Sequence, residues 1–436
     1  MQPALNKLLL AAQKAARTDI RYLLSGSFWL LFGQGFQMIT SLVLSLVLAN
    51  MLEKTAFGTY QFIMSVTAVM GAFTLTGVAI SIKRAVANDA EGALRYGFRI
   101  QMLYNLGIIL SGIIVGTYFL IKGNYPLSIT FYIAGILISL IVSFSLYRSY
   151  LLGKKLFKET TLLGFWRKPL TLISVIVAVY FFTTDPNILA LIYLLSSAIS
   201  LGLMYQIVVK KYQLPVEKEG LDFISYSKHL SIIGILRMVA KNLDSILIFY
   251  HLGAASVAIY ALAKLPLMHL TKVFGNIGNL AFPKFATKDY TLLKQTLPRK
   301  ALIYFLFSVV MVATYVLAAP FIYKTLFPTY LESVFVSQIL ILGLLFKPAT
   351  LFERVFESHA LKKIQHVTIT STLILKIAAL IILLPLLGIW GAVIAVLIEH
   401  IYWCIMATSL FFLHKDKKES VSANTNTLTN TDSAKG

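Results

Sequence analysis

Ser25–Leu52 reads SGSFWLLFGQGFQMITSLVLSLVLANML, 28 residues without one Asp, Glu, Lys or Arg. About 20 apolar helical residues cross the hydrocarbon core of a bilayer, so this stretch spans it with length to spare. It is too long for the apolar part of a secretory leader, and no small-x-small site closes it. The same reading repeats down the chain. Thr55–Ile82, Ile100–Ile121, Gly123–Tyr147, Pro186–Val209 and Ala301–Tyr323 are equally free of charge. Pro169–Thr184 is clean but short, which predicts a helix starting near Trp166 with Arg167 and Lys168 snorkelling. Phe223–Tyr250, Ala254–Pro283, Ser333–Phe352, Ile364–Leu387 and Ile389–Leu413 are spans with isolated charges or polar breaks. The expectation is an all-α integral membrane protein of twelve transmembrane helices. No segment alternates with period two over about ten residues, which excludes a β-barrel.

Composition agrees. Of 436 residues, 58% are apolar and 13% charged, with a mean hydropathy of +0.78. An ordinary soluble domain has about 25% charged residues and needs them for its surface. A single soluble domain and a disordered chain are therefore excluded. Cys404 is the only cysteine, so there is no disulfide framework and no Cys-based metal site.

The net charge of +21 is explained by where the basic residues fall. With the N-terminus cytoplasmic, inside segments hold 30 Lys and Arg, outside segments only Lys54, Lys122 and Lys324, and the spans six. That alternation orients the chain with both termini inside, and no nucleic-acid partner is needed to account for the charge. Residues 1–24 read as an amphipathic helix on the inner leaflet, with Lys7, Lys14, Arg17 and Arg21 on a polar side. Residues 25–209 form a first six-helix half, 210–222 a cytoplasmic linker, 223–413 a second half, and 414–436 a polar tail expected to be disordered.

The halves look like repeats. Phe57-Gly58-Thr-Tyr60 stands 200 residues before Val257-Ala258-Ile-Tyr260, and Arg84 and Lys284 follow at the same offset. Leu152-Gly-Lys-Lys-Leu156 likewise matches Ala360-Leu-Lys-Lys-Ile364. Parallel six-helix repeats imply a pseudo-two-fold axis along the membrane normal and a central cavity.

With these motifs the sequence resembles the polysaccharide and O-antigen flippases of the multidrug/oligosaccharidyl-lipid/polysaccharide exporter superfamily, from about Tyr22 to Leu413. The resemblance rests on Phe57-Gly58-x-Tyr60, on Gly77-Val-Ala-Ile-Ser-Ile-Lys83-Arg84, and on Asp244-x-x-x-Ile248-x-Tyr250-x-Leu252-Gly253. Ile259-Tyr260-x-Leu-Ala, Pro283-Lys284 and Gly388-Ile-Trp-Gly391-Ala392 continue it. It implies a flippase moving a polyprenyl-pyrophosphate-linked oligosaccharide from the inner to the outer leaflet of a bacterial cytoplasmic membrane by alternating access. Membrane lipids and other glycan-assembly proteins are the implied partners. No cofactor is expected, and coupling to a proton or sodium gradient is left open.

Charges inside spans are the candidate working parts, because each costs several kcal/mol, or roughly that, if it faces lipid. Arg237, Lys241 and Asp244 share one helix face at i, i+4, i+7. Lys264 is expected near the depth of Lys241, and Lys272 one to two turns further in. One reading is a cationic cavity wall that receives a pyrophosphate. The other is an Asp244–Lys241 pair with Lys228 and Lys272 snorkelling. Gln34 and Gln37, with Asn50, face either sugar hydroxyls or neighbouring helices. Arg84, closing the second-helix motif, completes the candidate substrate-binding set. Lys376 and Glu399 each lie 11 residues from the turn between the last two helices, which puts them at one depth as a buried ion pair or a coupling site. Pro266, Pro320, Pro348 and Pro385 are expected to kink their helices. No phosphate-loop or zinc-protease motif is present. Two rivals remain: a cation-coupled exporter of small amphipathic drugs on the same fold, and an enzyme of envelope glycan assembly. Short outside loops argue against the enzyme.

Overall fold

The computed structural model describes residues 20–215, 223–286, 289–359 and 361–414, and within them the chain is helical with no strand. The helices are α1 (Ile20–Met51), α2 (Lys54–Met70), α3 (Val78–Ala87), α4 (Ala93–Tyr104), α5 (Leu106–Ile121), α6 (Tyr125–Phe144), α7 (Tyr147–Gly153) and α8 (Phe157–Phe181). They continue as α9 (Pro186–Lys211), α10 (Phe223–Leu252), α11 (Ala254–Ala286), α12 (Tyr290–Leu326), α13 (Ser333–Leu340), α14 (Thr350–Ser358), α15 (Lys362–Leu387) and α16 (Ile389–Leu413). A 3-10 segment, Ile341–Ala349, joins α13 to α14.

Ten stretches among the described residues are long and apolar enough to cross a membrane, from Leu31–Met51 to Ile389–Leu413. Their outward faces carry large apolar side chains, such as Leu317 at 82% and Phe321 at 73% exposure, as contact with lipid tails requires. The chain is a multi-pass membrane protein. Two of the twelve expected spans are not among the ten: α2 is only 17 residues long, and α10 carries Lys228, Arg237, Lys241 and Asp244. The expected unbroken span Thr55–Ile82 is interrupted after Met70 and resumes as α3 at Val78.

The described residues group into two compact units. One runs to Phe249 and includes Gly253–Ala258; the other holds Tyr250–Leu252 and the chain from Ile259. In the first, α5 packs on α6 where glycines let the backbones meet: a Cβ on Gly112 would lie 2.9 Å from the Gly135 Cα. Asn124 caps α6 by accepting from the Leu127 amide at 3.2 Å, and Asp185 caps α9 by accepting from the Asn187 amide at 2.7 Å, each just before a proline-bearing first turn.

The break between α2 and α3 is tied down by a buried polar network. Thr74 Oγ1 donates to Asn105 Oδ1 at 2.7 Å, and Gln101 Nε2 donates to Thr74 Oγ1 at 2.6 Å and to Asn105 Oδ1 at 2.9 Å. Asn105 Nδ2 donates to the Ser139 carbonyl at 2.7 Å and to Ser143 Oγ at 2.8 Å. Asn105 stands where α4 gives way to α5, so one side chain satisfies groups from three neighbouring segments.

In the second unit α15 packs along α16, and α12 along the 3-10 segment. Tyrosines at the seams donate to backbone carbonyls: Tyr304 to Phe274 at 2.7 Å, Tyr323 to Leu262 at 2.9 Å, and Tyr290 to Phe411 at 2.9 Å. Lys294 Nζ donates to the Phe412 and His414 carbonyls at 2.9 and 2.7 Å, satisfying the open C-terminal end of α16. Helices α11, α12 and α15 run on through Pro266, Pro320 and Pro385, whereas Pro348 lies in the 3-10 segment.

The repeat motifs occupy equivalent places. Phe57 and Tyr60 are buried one turn into α2, and Val257, Ala258 and Tyr260 one turn into α11. Gly58 has no room for a side chain, since a Cβ there would lie 1.7 Å from the Ala254 carbonyl oxygen. The amphipathic helix expected over residues 1–24 lies outside the described residues up to position 19, and α1 already begins at Ile20. Positions 216–222 of the linker and 415–436 of the tail are also outside them.

Candidate functional site

Helix α10 carries the charges from which the sequence argument builds a cationic wall. Arg237 is exposed on it and makes no hydrogen bond or ion pair among the described residues. Lys241, one turn on, is also exposed. Asp244 is fully buried, and its Oδ1 accepts the Ser245 amide at 2.9 Å. The C-terminal end of the helix is held by Phe249, whose ring stacks on Phe62 of α2 at 3.8 Å between centroids. The Lys228 side chain lies outside the described residues.

The remaining candidates are dispersed. Lys264 is half-buried on α11 with its ammonium 5.4 Å from the Tyr260 ring centre, and Lys272 is exposed on the same helix. Gln34 is exposed and Gln37 half-buried on α1. Arg84 is exposed on α3, so it belongs to the short helix after the break and not to the end of a long second span.

The structure brings one expected pair together. Lys376 Nζ of α15 lies 2.8 Å from Glu399 Oε2 of α16, with side-chain exposures of 6% and 22%. The two helices turn at Gly388, which places residues equidistant from it side by side. Glu399 of this pair borders a cavity of about 280 Å3 in the second unit, lined also by Thr271, Lys347, Thr350, Arg354, His400 and Trp403 among others. Lys347 places its ammonium 5.1 Å from the Trp403 ring centre, a cation–π contact. His400 Nδ1 lies 2.7 Å from the Val396 carbonyl; the carbonyl only accepts, so Nδ1 carries the proton and Nε2 is left for other use. Arg354 pairs with Glu357, whose other oxygen accepts from Gln365 Nε2 at 3.0 Å.

Two groups were misplaced by the sequence argument. Lys347, counted with the inside basic residues at the end of the expected span Ser333–Phe352, sits well within the described span Ser333–Ser358, in the 3-10 segment. Arg167 was expected to snorkel from a helix starting near Trp166. Helix α8 instead begins at Phe157, and Arg167 is buried at 9% exposure, with its Nε unpartnered among the described residues. The signal was present: Thr160, Arg167, Thr171, Val175 and Ala178 are among the buried positions of α8 and recur at helical spacing through the arginine.

Comparison with known proteins fits this architecture. The family described as polysaccharide biosynthesis protein matches residues 23–288. No curated protein sequence matches significantly. Among solved structures, an inward-facing multidrug resistance MATE family transporter of the MOP superfamily is similar at 13% identity and a TM-score of 0.66, over 90% of this chain and 96% of that one. An outward-facing MATE transporter is similar at 13% identity and a TM-score of 0.61, over 90% and 95%. A MOP superfamily transporter from Pyrococcus furiosus, described as having a binding pocket of reverse polarity that suggests a different function, is similar at 13% identity and a TM-score of 0.58, over 89% and 95%. At these identities the likeness establishes the fold. The family match covers well over half of the sequence, and the chain belongs to the polysaccharide biosynthesis protein family.

Proposed function

We propose that the protein is a flippase of a bacterial cytoplasmic membrane, carrying a polyprenyl-pyrophosphate-linked oligosaccharide from the inner to the outer leaflet by alternating access. Family membership supplies the biosynthetic setting. The observation that carries the cargo's charge is Arg237, a guanidinium on α10 exposed without a protein partner among the described residues. Among the described membrane spans of the first half the one carboxylate is Glu159, in the first turn of α8 and paired with Lys211 at 2.9 Å, so the intramembrane electrostatics favour an anion. Guanidinium binds a phosphate bidentately, and Lys241 adds a second positive charge on the same face. The fold tolerates such a change of polarity, as the description of the Pyrococcus furiosus transporter suggests for that protein.

A second reading is favoured by a different observation. The similar solved structures include multidrug resistance transporters, and the second unit holds a carboxylate, Glu399, beside a cavity. That combination suits a cation-coupled exporter. The deciding experiment is deletion of the gene followed by analysis of surface glycan, lipid-linked intermediates and drug sensitivity. Loss of surface glycan with accumulation of the inner-leaflet intermediate is expected. Unchanged glycan with new drug sensitivity overturns the flippase reading in favour of the exporter.

A further inference from the structure

The span Ser333–Ser358 is built of three pieces, α13, the 3-10 segment and α14. The middle piece holds nine residues, whereas the poorer hydrogen-bond geometry of 3-10 winding keeps most runs to about 3–4. Nothing from Ile341 to Phe346 forbids an α-helix. Pro348 opposes one, because in α winding its ring meets the carbonyl four residues back, that of Leu344, and it disfavours the α conformation at Lys347 itself. The flanks are tied down by side chains. In α13, Ser333 Oγ donates to the Ile259 carbonyl at 3.0 Å and Gln338 Nε2 to the Val316 carbonyl at 2.9 Å. In α14, Arg354 pairs with Glu357, which accepts from Gln365 of α15 at 3.0 Å. Between these anchors the one polar side chain is Lys347, which makes no hydrogen bond or ion pair among the described residues.

Winding decides where Lys347 lies. At three residues per turn Ile341, Leu344 and Lys347 stack in one row, and Ile341 and Leu344 are fully buried. That row carries the ammonium to 5.1 Å from the Trp403 ring centre, onto the wall of the cavity that Glu399 also lines. Gly343 brings the same segment against α16, where a Cβ on it would lie 3.5 Å from the His400 ring. In an α-helix, at about 100° per residue, Lys347 falls about 60° off Leu344 and about 120° off Ile341. We propose that Ile341–Ala349 interchanges 3-10 and α winding over about one turn between its anchored flanks, and that the change carries Lys347 on and off the cavity wall. The winding thereby sets how many ammonium groups accompany Glu399 at the cavity: Lys376 and Lys347 in the 3-10 form, Lys376 alone in the α form. Such a device acts whatever the cargo is.

The test reads Trp403 directly. The chain has four tryptophans, so Trp29→Phe, Trp166→Phe and Trp390→Phe leave Trp403 as the only one in the full-length protein, purified into phosphatidylcholine nanodiscs. Its fluorescence lifetime and emission maximum are compared in that background, with Lys347→Met, with Pro348→Ala and with both changes. Lys347→Met gives the signal of an indole without the ammonium over its ring. Pro348→Ala lifts the clash that opposes α winding and is expected to shift the signal at least halfway to that of Lys347→Met. Added to Lys347→Met, Pro348→Ala should change nothing further. If Pro348→Ala does not fold, Gly343→Ala is read in its place, since alanine favours the α-helix and its methyl meets His400 at an ordinary contact distance. An unshifted signal in the folded variant overturns the proposal and leaves the segment fixed in its 3-10 winding. A shift of equal size with and without Lys347 also overturns it, because the proline then acts on packing around Trp403 and not on the position of the lysine.

Discussion

Breaking the Lys376–Glu399 pair is the sharpest perturbation available in the second unit. At 2.8 Å and an effective dielectric of about 20, the Coulomb attraction is about 6 kcal/mol before desolvation is subtracted. Desolvation consumes most of that, so the pair's net contribution is small, but removing one partner strands the other and costs about 3–5 kcal/mol. The surroundings make the two single changes unequal. Glu399 also interacts electrostatically with Lys347, so Glu399→Gln strands two ammonium groups near one cavity. Lys376→Gln leaves Glu399 with Lys347 as a substitute counter-charge. Glu399→Gln is therefore expected to lower the unfolding midpoint more than Lys376→Gln. The double change Lys376→Met with Glu399→Gln should recover most of the loss, as should the charge swap. Purified protein in detergent, followed by intrinsic fluorescence on heating, reads all of these. Additive single effects, with no recovery in the double variant, would refute a coupled pair. Normal stability of Glu399→Gln with lost transport would identify a coupling residue instead.

Gly58→Ala places a methyl 1.7 Å from the Ala254 carbonyl oxygen and is expected to cost at least about 1–3 kcal/mol, read as reduced membrane abundance; normal abundance would contradict the close approach. Asn105→Ala removes the hub of the buried network and should cost about 1–3 kcal/mol per stranded group, whereas Thr40→Ala, whose hydroxyl bonds only the Phe36 carbonyl of its own helix, should cost about 1 kcal/mol or less in the same unfolding assay. Arg237→Ala should keep membrane abundance and abolish surface glycan, with Arg237→Lys retaining part of it; full export by Arg237→Ala at normal abundance removes that residue from the cargo site.

What the sequence made legible follows from how a bilayer acts on a chain. Uniform apolar runs such as Pro186–Val209 announce their spans because lipid rejects charge over their whole length. The Lys376–Glu399 pair was legible because helices that turn tightly at Gly388 bring equidistant residues together. The break after Met70 was hidden because its residues, from Gly71 to Gly77, are as apolar as a helix and the network that holds it comes from Gln101, Asn105 and Ser143, distant in sequence. Lys347 and Arg167 were misplaced for one shared reason. A hydropathy reading treats a charge as the end of a span, which holds for residues facing lipid and fails for residues facing protein. Trp403 covers Lys347, and Arg167 belongs to the buried stripe of α8.

The charges within the helices of this protein therefore fall into two kinds, and the difference bears on cargo. In the second unit Lys376 is closed by Glu399, and Arg354 by Glu357. Such pairs fix helix register and have little left to offer a ligand, since loosening them exposes a buried charge. In the first unit Arg167 and Arg237 lack a carboxylate partner among the described residues. A protein that only needed to pack would not retain guanidiniums at that cost, because an apolar residue of similar volume is cheaper in the same place. A cationic drug would be repelled by both. An anionic group entering the first unit supplies what each of them lacks, and it lowers its own barrier to crossing by exchanging hydration for preplaced donors. Under the proposed flippase reading, these two guanidiniums, and not the net charge of the chain, are the feature that a phosphate-bearing cargo would explain and a cationic one would not.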